Sequence, residues 1–451
     1  MSEPLFEFAF SDMLWKAMTP EDLEEMARLN RIMFPQQEMR DDAAAIHEHA
    51  GIGGTSSGFR RAGIPTAMGI DAWDAINTVR RPYEENTMTA MLGIDQGMAH
   101  PDDQIELYAD ALDGRKAHIG FSPPCQKLTS AGNAGLSAAE REARALEGIP
   151  PIFNSFYTAQ EMQKHPDIDL NSWHMEQAKE AIPILLKYPE LLDGLDQDFR
   201  NKVLAMLRGD GTFGTPKQNP RMNAIDYGAP STRNRMIIGE GWTKDPTHYD
   251  RTRRKPVAGR LPSRSILDVA PHLQREWEEN KGLTDEWIRA LVEHGRLTPT
   301  GARELGDGPQ MSLSGATVPG KGNTGPEINA LGMRGGGSVW DDAKGPRNKQ
   351  KRSFSHSYPA DRHTSGQTHN RPTLMFNRPL TDQEWLGVQT FDPNYDTSPI
   401  DGMTHRTYTT GKQQKVFDTG VGNVVVPAVG NAIATSAFAP PSPQRTLLEH
   451  Y

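Results

Sequence analysis

Residues 50–71, "AGIGGTSSGFRRAGIPTAMGID", read as three joined pieces: a glycine-rich turn, a short helix, and a strand that ends on an acid. Gly51, Ile52, Gly53 and Gly54 form the turn. Glycines there let a backbone approach a bound ligand closely. Asp71 follows about 20 residues on, where a carboxylate can accept hydrogen bonds from ribose hydroxyls. The spacing differs from GxGxxG, so a tight structural turn is the competing reading. As a ligand site the pattern suits a nucleoside-bearing cofactor, with NAD and S-adenosylmethionine (SAM) equally compatible.

Outward from this unit the alternation continues. "TPEDLEEMARLNRIMF" (19–34) has Thr19 as a helix N-cap, Pro20 at the first helical position and acids in the first turn, so residues 1–44 are expected to be a helical extension. "DAWDAINTVRRPYEEN" (71–86) reads as a helix and "KAHIGFS" (116–122) as a strand. "WHMEQAKEAIPILLKYPELL" (173–192) carries a helical pattern, and "NAIDYGAPSTRNRMIIGEGW" (223–242) has the form strand, polar loop, apolar strand. Strands alternating with helices predict an α/β domain with a mostly parallel sheet and helices on both faces.

The 451 residues suffice for two or three domains. We expect a catalytic domain over 45–240, a substrate or target-recognition domain over 241–375, and a return to the first domain over 376–451. The middle segment is rich in Gly, Pro, Arg and Ser, as in "TRRKPVAGRLPSR" and "KGPRNKQKRSFSHS". It carries 21 Lys+Arg against 15 Asp+Glu in a chain of net charge −9. A basic segment on an acidic body is either an electrostatic footprint for a polyanion or a set of solvated loops. No run of 18 apolar residues is present, and "MSEPLFEFAF" lacks the pattern of a secretory signal. With a single cysteine, a disulfide framework and a thiolate metal site are not expected; no membrane partner and a reducing cytoplasm are.

That cysteine, Cys125, lies in "GFSPPCQKLTSAG" (120–132). Pro123 and Pro124 restrict the backbone before it, and Gln126, Lys127, Thr129 and Ser130 after it are polar. A stiff, polar loop suits a nucleophile better than a core filler.

This loop resembles the Pro-Cys-Gln loop of the DNA (cytosine-5) methyltransferases, and further blocks resemble that family in order between about residues 49 and 437. "AGIGGTSSGFRRAG" is similar to its SAM-binding block, with Asp71 at the usual glutamate position. Asp95 in "LGIDQG" corresponds to the acid that meets the adenine amino group. "HMEQAKEAIPIL" resembles the Glu-Asn-Val block, with Glu176 retained and Gln177 and Ala178 substituted. "YGAPSTRNRMIIG" keeps Arg233 and Arg235, with Ser231 in place of a glutamine. "RPLTDQEWLGVQTF" resembles the block after the recognition domain, and "GVGNVVVPAVGNAIA" the closing block with Asn423. In "AAAIHEHAGIGG" His47, Glu48 and His49 are unusual, since this stretch is normally apolar in that family, and His49 stands where an aromatic ring often lies against the adenine.

The resemblance implies a SAM-dependent methyltransferase (Rossmann-like) fold with a smaller, irregular recognition domain. It further implies methyl transfer to C5 of cytosine in DNA, within restriction–modification or phage DNA modification. Cys125 would attack C6, Glu176 would hold N3 and the exocyclic amine, Arg233 would contact the base and Arg235 would brace the site. Pro124, Gln126, Thr129 and Ser130 would form the substrate loop, and the target base would leave the stack. Neighbouring cations would favour the thiolate. Gly51 to Gly54, Asp71, Asp95 and Asn423 would hold SAM, with no metal. Phosphate contacts would fall on Arg251, Arg253, Arg254 and Lys255 or on the 344–352 cluster. Two alternatives stay open: the same chemistry on a free nucleotide such as dCMP, and a non-catalytic nucleic-acid binder. A monomer or a weak dimer is expected.

Overall fold

In the computed structural model, the described residues are 18–90, 101–125, 127–128, 136–231, 233–249, 256–264, 266–279, 311–313, 372–374, 381–406 and 413–439. The elements that matter here are, in chain order, α1 (Pro20–Met33), β1 (Ala43–Glu48), α2 (Gly54–Arg61), β2 (Thr66–Asp71), α3 (Asp74–Arg80), β3 (Thr87–Thr89), α4 (Pro101–Leu112), β4 (Lys116–Phe121), α5 (Ala138–Leu146), α6 (Pro150–Lys164), β5 (Leu170–Gln177), α7 (Ala181–Lys187), α8 (Gln197–Arg208), β6 (Arg221–Asn223), β7 (Asn234–Glu240), α9 (His272–Glu279), α10 (Asp382–Val388), α11 (Val416–Asn423) and α12 (Pro427–Ala437).

The seven strands form one sheet in the order β3-β2-β1-β4-β5-β7-β6. β1, β2, β3, β4 and β5 pair in parallel, and β7 enters antiparallel between β5 and β6. The fold is therefore α/β with a mostly parallel sheet. β1, "AAAIHE", is buried along its whole length, as a strand covered on both faces must be. Ala44 and Ile46 join Ile119, Phe121, Trp173 and Met175 under α4, α6 and α8. Ala43 and Ala45 face the other way, with Phe59 of α2 and Val429 and Ile433 of α12.

The C-terminal segment closes this second face. α12 lies so near α2 that a Cβ on Gly58 would sit 2.3 Å from the Pro427 carbonyl oxygen, and one on Gly54 would sit 2.0 Å from that of Val425. Only glycine allows this approach. α1 is part of the body too. Thr19 and Asp22 form a capping box, Met26 and Ala27 are buried, and Asn30 donates to the Phe391 carbonyl at 2.7 Å while accepting from Arg61.

Several boundaries differ from the expectations. β1 begins at Ala43, inside the stretch assigned to the N-terminal extension. The helical pattern over 173–192 is α-helix from Ala181 to Lys187 and a short 3-10 helix from Pro189 to Leu192; its first five residues belong to β5. Of the 241–375 segment, the described pieces include α9 and a short antiparallel pair, Met311–Leu313 with Pro372–Leu374. The 344–352 cluster and Arg251, Arg253, Arg254 and Lys255 lie outside the described residues.

Candidate active site

In a doubly wound sheet, ligands bind beyond the carboxyl ends of the strands where the strand order reverses. Here that point lies between β1 and β4, and the strand ends there carry the residues singled out from the sequence. The turn after β1 places Gly51 at φ 56° and Gly53 at φ 87°, the left-handed region that favours glycine. A Cβ on Gly51 would meet nothing within 4 Å, so the loop is open above that residue. Asp71, at the end of β2, bridges to the loop: its Oδ2 accepts from the Gly51 amide at 2.9 Å and its Oδ1 from the Trp73 amide at 3.0 Å. Asn77 fixes the end of β2 by donating to the Asp71 carbonyl.

Below the loop lies a buried support that sequence reasoning missed. Arg80 and Glu84 form an ion pair at 2.7 Å with both side chains inaccessible. Ser56 of α2 donates to Glu84. Tyr395, from the segment after the middle region, donates its hydroxyl to the Ile52 carbonyl at 2.7 Å. Nothing local in "NTVRRPYEE" marks Arg80 and Glu84 as inside, because charged residues are read as surface.

At the ends of β4 and β5 stands the second group. β4 runs into Ser122, whose amide bonds the Glu48 carbonyl oxygen, then into the two prolines and the half-buried Cys125. Leu128 donates back to the Cys125 carbonyl, closing a turn around the cysteine. Gln177 holds this loop: its Nε2 donates to the Pro123 carbonyl at 3.0 Å and its Oε1 accepts from the Ala178 amide at 2.7 Å. The substituted Gln177 is thus itself a brace.

Glu176 is buried one residue before it, in a strand rather than on the helix that the pattern suggested. β7 runs the opposite way, so its start lies at this same edge. From there Arg235 Nε pairs with Glu176 Oε1 at 2.9 Å. Arg233 is buried and donates to the Gly422 carbonyl at 2.8 Å, while its Nε and Nη2 lack hydrogen-bond partners among the described residues. Ser231 Oγ and Asn423 Oδ1 are also buried without such a partner.

Burial pushes the Cys125 thiol up. Arg235 pulls it down most strongly, Glu176 pushes it up, and Arg233 pulls it down. The expected gain in thiolate is therefore reversed in the free protein, because desolvation together with Glu176 outweighs both guanidinium groups. Burial, with Arg235 nearby, lowers Arg233 to about 9.

The structure thus brings Cys125, Glu176, Arg233 and Arg235 together, and places the glycine loop and Asp71 on the same sheet edge. Pro124 adjoins the cysteine. Asp95, Gln126, Thr129 and Ser130 lie outside the described residues. Among the described residues no group of three or more His, Cys, Asp or Glu side chains could hold a metal ion.

Beneath this site, inside the sheet, is a polar cluster that the sequence showed only in part. His118 hydrogen-bonds Ser172 Oγ and His174 Nδ1, each at 2.7 Å. His47 stands beside them against Phe59, with neither ring nitrogen hydrogen-bonded among the described residues.

No family model matches the chain, and no curated protein matches it. Among solved structures it is similar to a protein described as a candidate DNA modification methyltransferase encoded within a prophage (E. coli). The two are 13% identical, with 90% of this chain and 99% of that chain covered and a TM-score of 0.39. So distant a likeness adds nothing to what the strand order already says.

Proposed function

We propose that the chain is a SAM-dependent methyltransferase that acts on C5 of cytosine in DNA through a covalent bond between Cys125 and C6. The observation that carries this reading is the Glu176–Arg235 pair beside Cys125 at one sheet edge, with the open glycine loop and Asp71 on the same edge. The residues fit the cofactor. Gly51 leaves room for a ligand against the backbone, Asp71 retains lone pairs for ribose hydroxyls, and Asn423 offers a buried oxygen without a partner among the described residues. SAM would supply an electrophilic methyl group.

Cytosine C5 is a weak nucleophile until the ring gains electrons. The Cys125 sulfur adds to C6, forming an S–C bond and moving the ring π electrons toward C5 and N3. The thiol proton passes to the Glu176 carboxylate as the S–C bond forms, and from Glu176 to N3 as that charge develops. Two Arg233 guanidinium nitrogens have no partner among the described residues and suit the base O2 or the backbone beside it. After C5 takes the methyl group, loss of its proton to a base and breakage of the S–C bond restore the ring and free the cysteine. The carboxylate at Glu176 raises the thiol pKa, so its neutralisation against the base favours the thiolate when substrate is in place.

The test is transfer from methyl-labelled SAM to duplex DNA and, separately, to dCMP. Label on cytosine C5 of the duplex supports the proposal. Label on dCMP alone would move the substrate to the free nucleotide. Label on neither, with SAM bound, would make the chain a non-catalytic binder.

A further inference from the structure

At the last residue of β1, where the glycine turn begins, a carboxylic acid is buried in apolar surroundings. Glu48 is level with Ile70 on β2 and Phe121 on β4, whose side chains share its face in a parallel sheet. Over this face lies α4, and Tyr108 donates its hydroxyl to Glu48 Oε1 at 2.7 Å. The neighbouring titratable groups are few. On β2, Asp71 lies one residue past Ile70 and is turned toward the Gly51 amide. Along β1, His47 faces the opposite side among Phe59 and His118, and His49 follows in the turn at φ 53°.

Ionising an acid whose partner is a phenol is unfavourable in such a place, and burial pushes Glu48 up to about 7. The apolar cluster of Ile46, Ile70, Phe121 and Ile105 has no need of it. Its position suggests a need elsewhere: it lies under the loop, at the reversal point where a ligand binds, and its backbone carbonyl takes the Ser122 amide that starts the cysteine loop.

We infer that Glu48 reads the charge of the cofactor, losing its proton when a sulfonium binds over the glycine turn and so favouring the charged methyl donor over its neutral thioether product. The inference rests on the SAM reading above. On binding, the carboxyl O–H breaks and the proton passes to solvent, leaving a carboxylate near the positive sulfur. Once the methyl has been transferred the sulfur is a neutral thioether, and the acid takes a proton back. The acid is thus a specificity residue for donor against product, acting through charge at low dielectric.

Calorimetric titration of the full chain with SAM and with S-adenosylhomocysteine tests this, run at pH 6.5 in phosphate and in Tris, whose ionisation enthalpies differ. The expected result is release of more protons with SAM than with the product. SAM affinity should rise about tenfold from pH 6 to pH 8, as linkage to one such acid requires, and Glu48→Gln should abolish both effects. Tyr108→Phe provides a second test should Glu48→Gln fail to fold. Removing the hydroxyl that stabilises the carboxylate should move the affinity profile to higher pH. Equal proton release with donor and product, an unchanged response in Glu48→Gln, or an unshifted profile in Tyr108→Phe would overturn the inference and leave the SAM reading intact. Absence of SAM binding at any pH would overturn both.

Discussion

Mild acid should destabilise this fold well before its exposed carboxylates are protonated. His47, His118 and His174 are buried at the centre of the sheet. Burial pushes His174 down to about 3, and burial together with His174 pushes His47 and His118 well below the usual histidine range. Above pH ~6.5 these rings are neutral whether folded or not and contribute no pH dependence. Below it the unfolded chain takes up protons that the folded chain refuses at these three rings and at His248, which burial lowers to about 4. Stability then falls as pH falls, by about 1.4 kcal/mol per proton per pH unit. Four rings give roughly 5.5 kcal/mol per unit. Glu48 works the other way: raised to about 7, it holds a proton in the fold that the unfolded chain releases above its own pKa. That offsets about 1.4 kcal/mol per unit, and Glu84, raised by burial, offsets part of another. The net loss between pH 6.5 and 5.5 is roughly 3 kcal/mol, a large share of the 5–15 kcal/mol typical of a fold. Urea unfolding followed by tryptophan fluorescence at pH 7.5, 6.5 and 5.5 reads this as a falling midpoint. His47→Leu removes two ring nitrogens without hydrogen bonds, so it should flatten the slope by about one proton and stabilise the fold at pH 5.5. A midpoint that holds or rises on acidification, or a steeper slope in His47→Leu, would refute the reasoning.

Three substitutions test the site itself. Gln177→Leu leaves the Pro123 carbonyl and the Ala178 amide without their partner. Methyl transfer should fall at least about tenfold with SAM affinity little changed, and calorimetry beside a transfer assay separates the two; a wild-type rate would remove Gln177 from the loop's support. Arg235→Gln takes away the strongest downward pull on the thiol, so the midpoint of iodoacetamide alkylation against pH should move upward, and an unmoved midpoint would contradict that electrostatic role. Asp71→Ala unties the glycine turn from β2 and removes the proposed ribose acceptor. Calorimetry should show SAM affinity down by roughly five- to twentyfold, and unchanged affinity would end the ribose assignment.

The sequence made some of this architecture plain and concealed the rest, for physical reasons. The turn, helix and strand of 50–71 were legible because glycine spacing and a terminal acid are local signals, and α2 and β2 fall where they pointed. β5 was hidden by its composition. "LNSWHMEQ" carries His174, Glu176 and Gln177 in a strand buried over its last six residues, whereas polar residues in a pattern argue for surface. His47, Glu48 and His49 stood out as unusual in a strand and turn. Their partners did not, because the meeting of His118 with His174 depends on a register of β4 against β5 that pairs Gly120 with His174. Tyr395 reaches Ile52 across 343 positions, a distance no sequence window spans. The cysteine loop could be read as stiff and polar, but its desolvation is a property of the packed site, and that reversed the direction expected for the thiol.

The central claim is a covalent bond from Cys125 to the base. Its most direct measurement is denaturing electrophoresis of the protein incubated with SAM and a duplex carrying 5-fluorocytosine. Fluorine at C5 blocks the final proton loss and traps the adduct. The account predicts a slower-migrating protein–DNA band that requires SAM, maps by peptide mass spectrometry to Cys125, and is missing in Cys125→Ser. Methyl transfer to the unmodified duplex with no trapped band, or at an undiminished rate in Cys125→Ser, would contradict it.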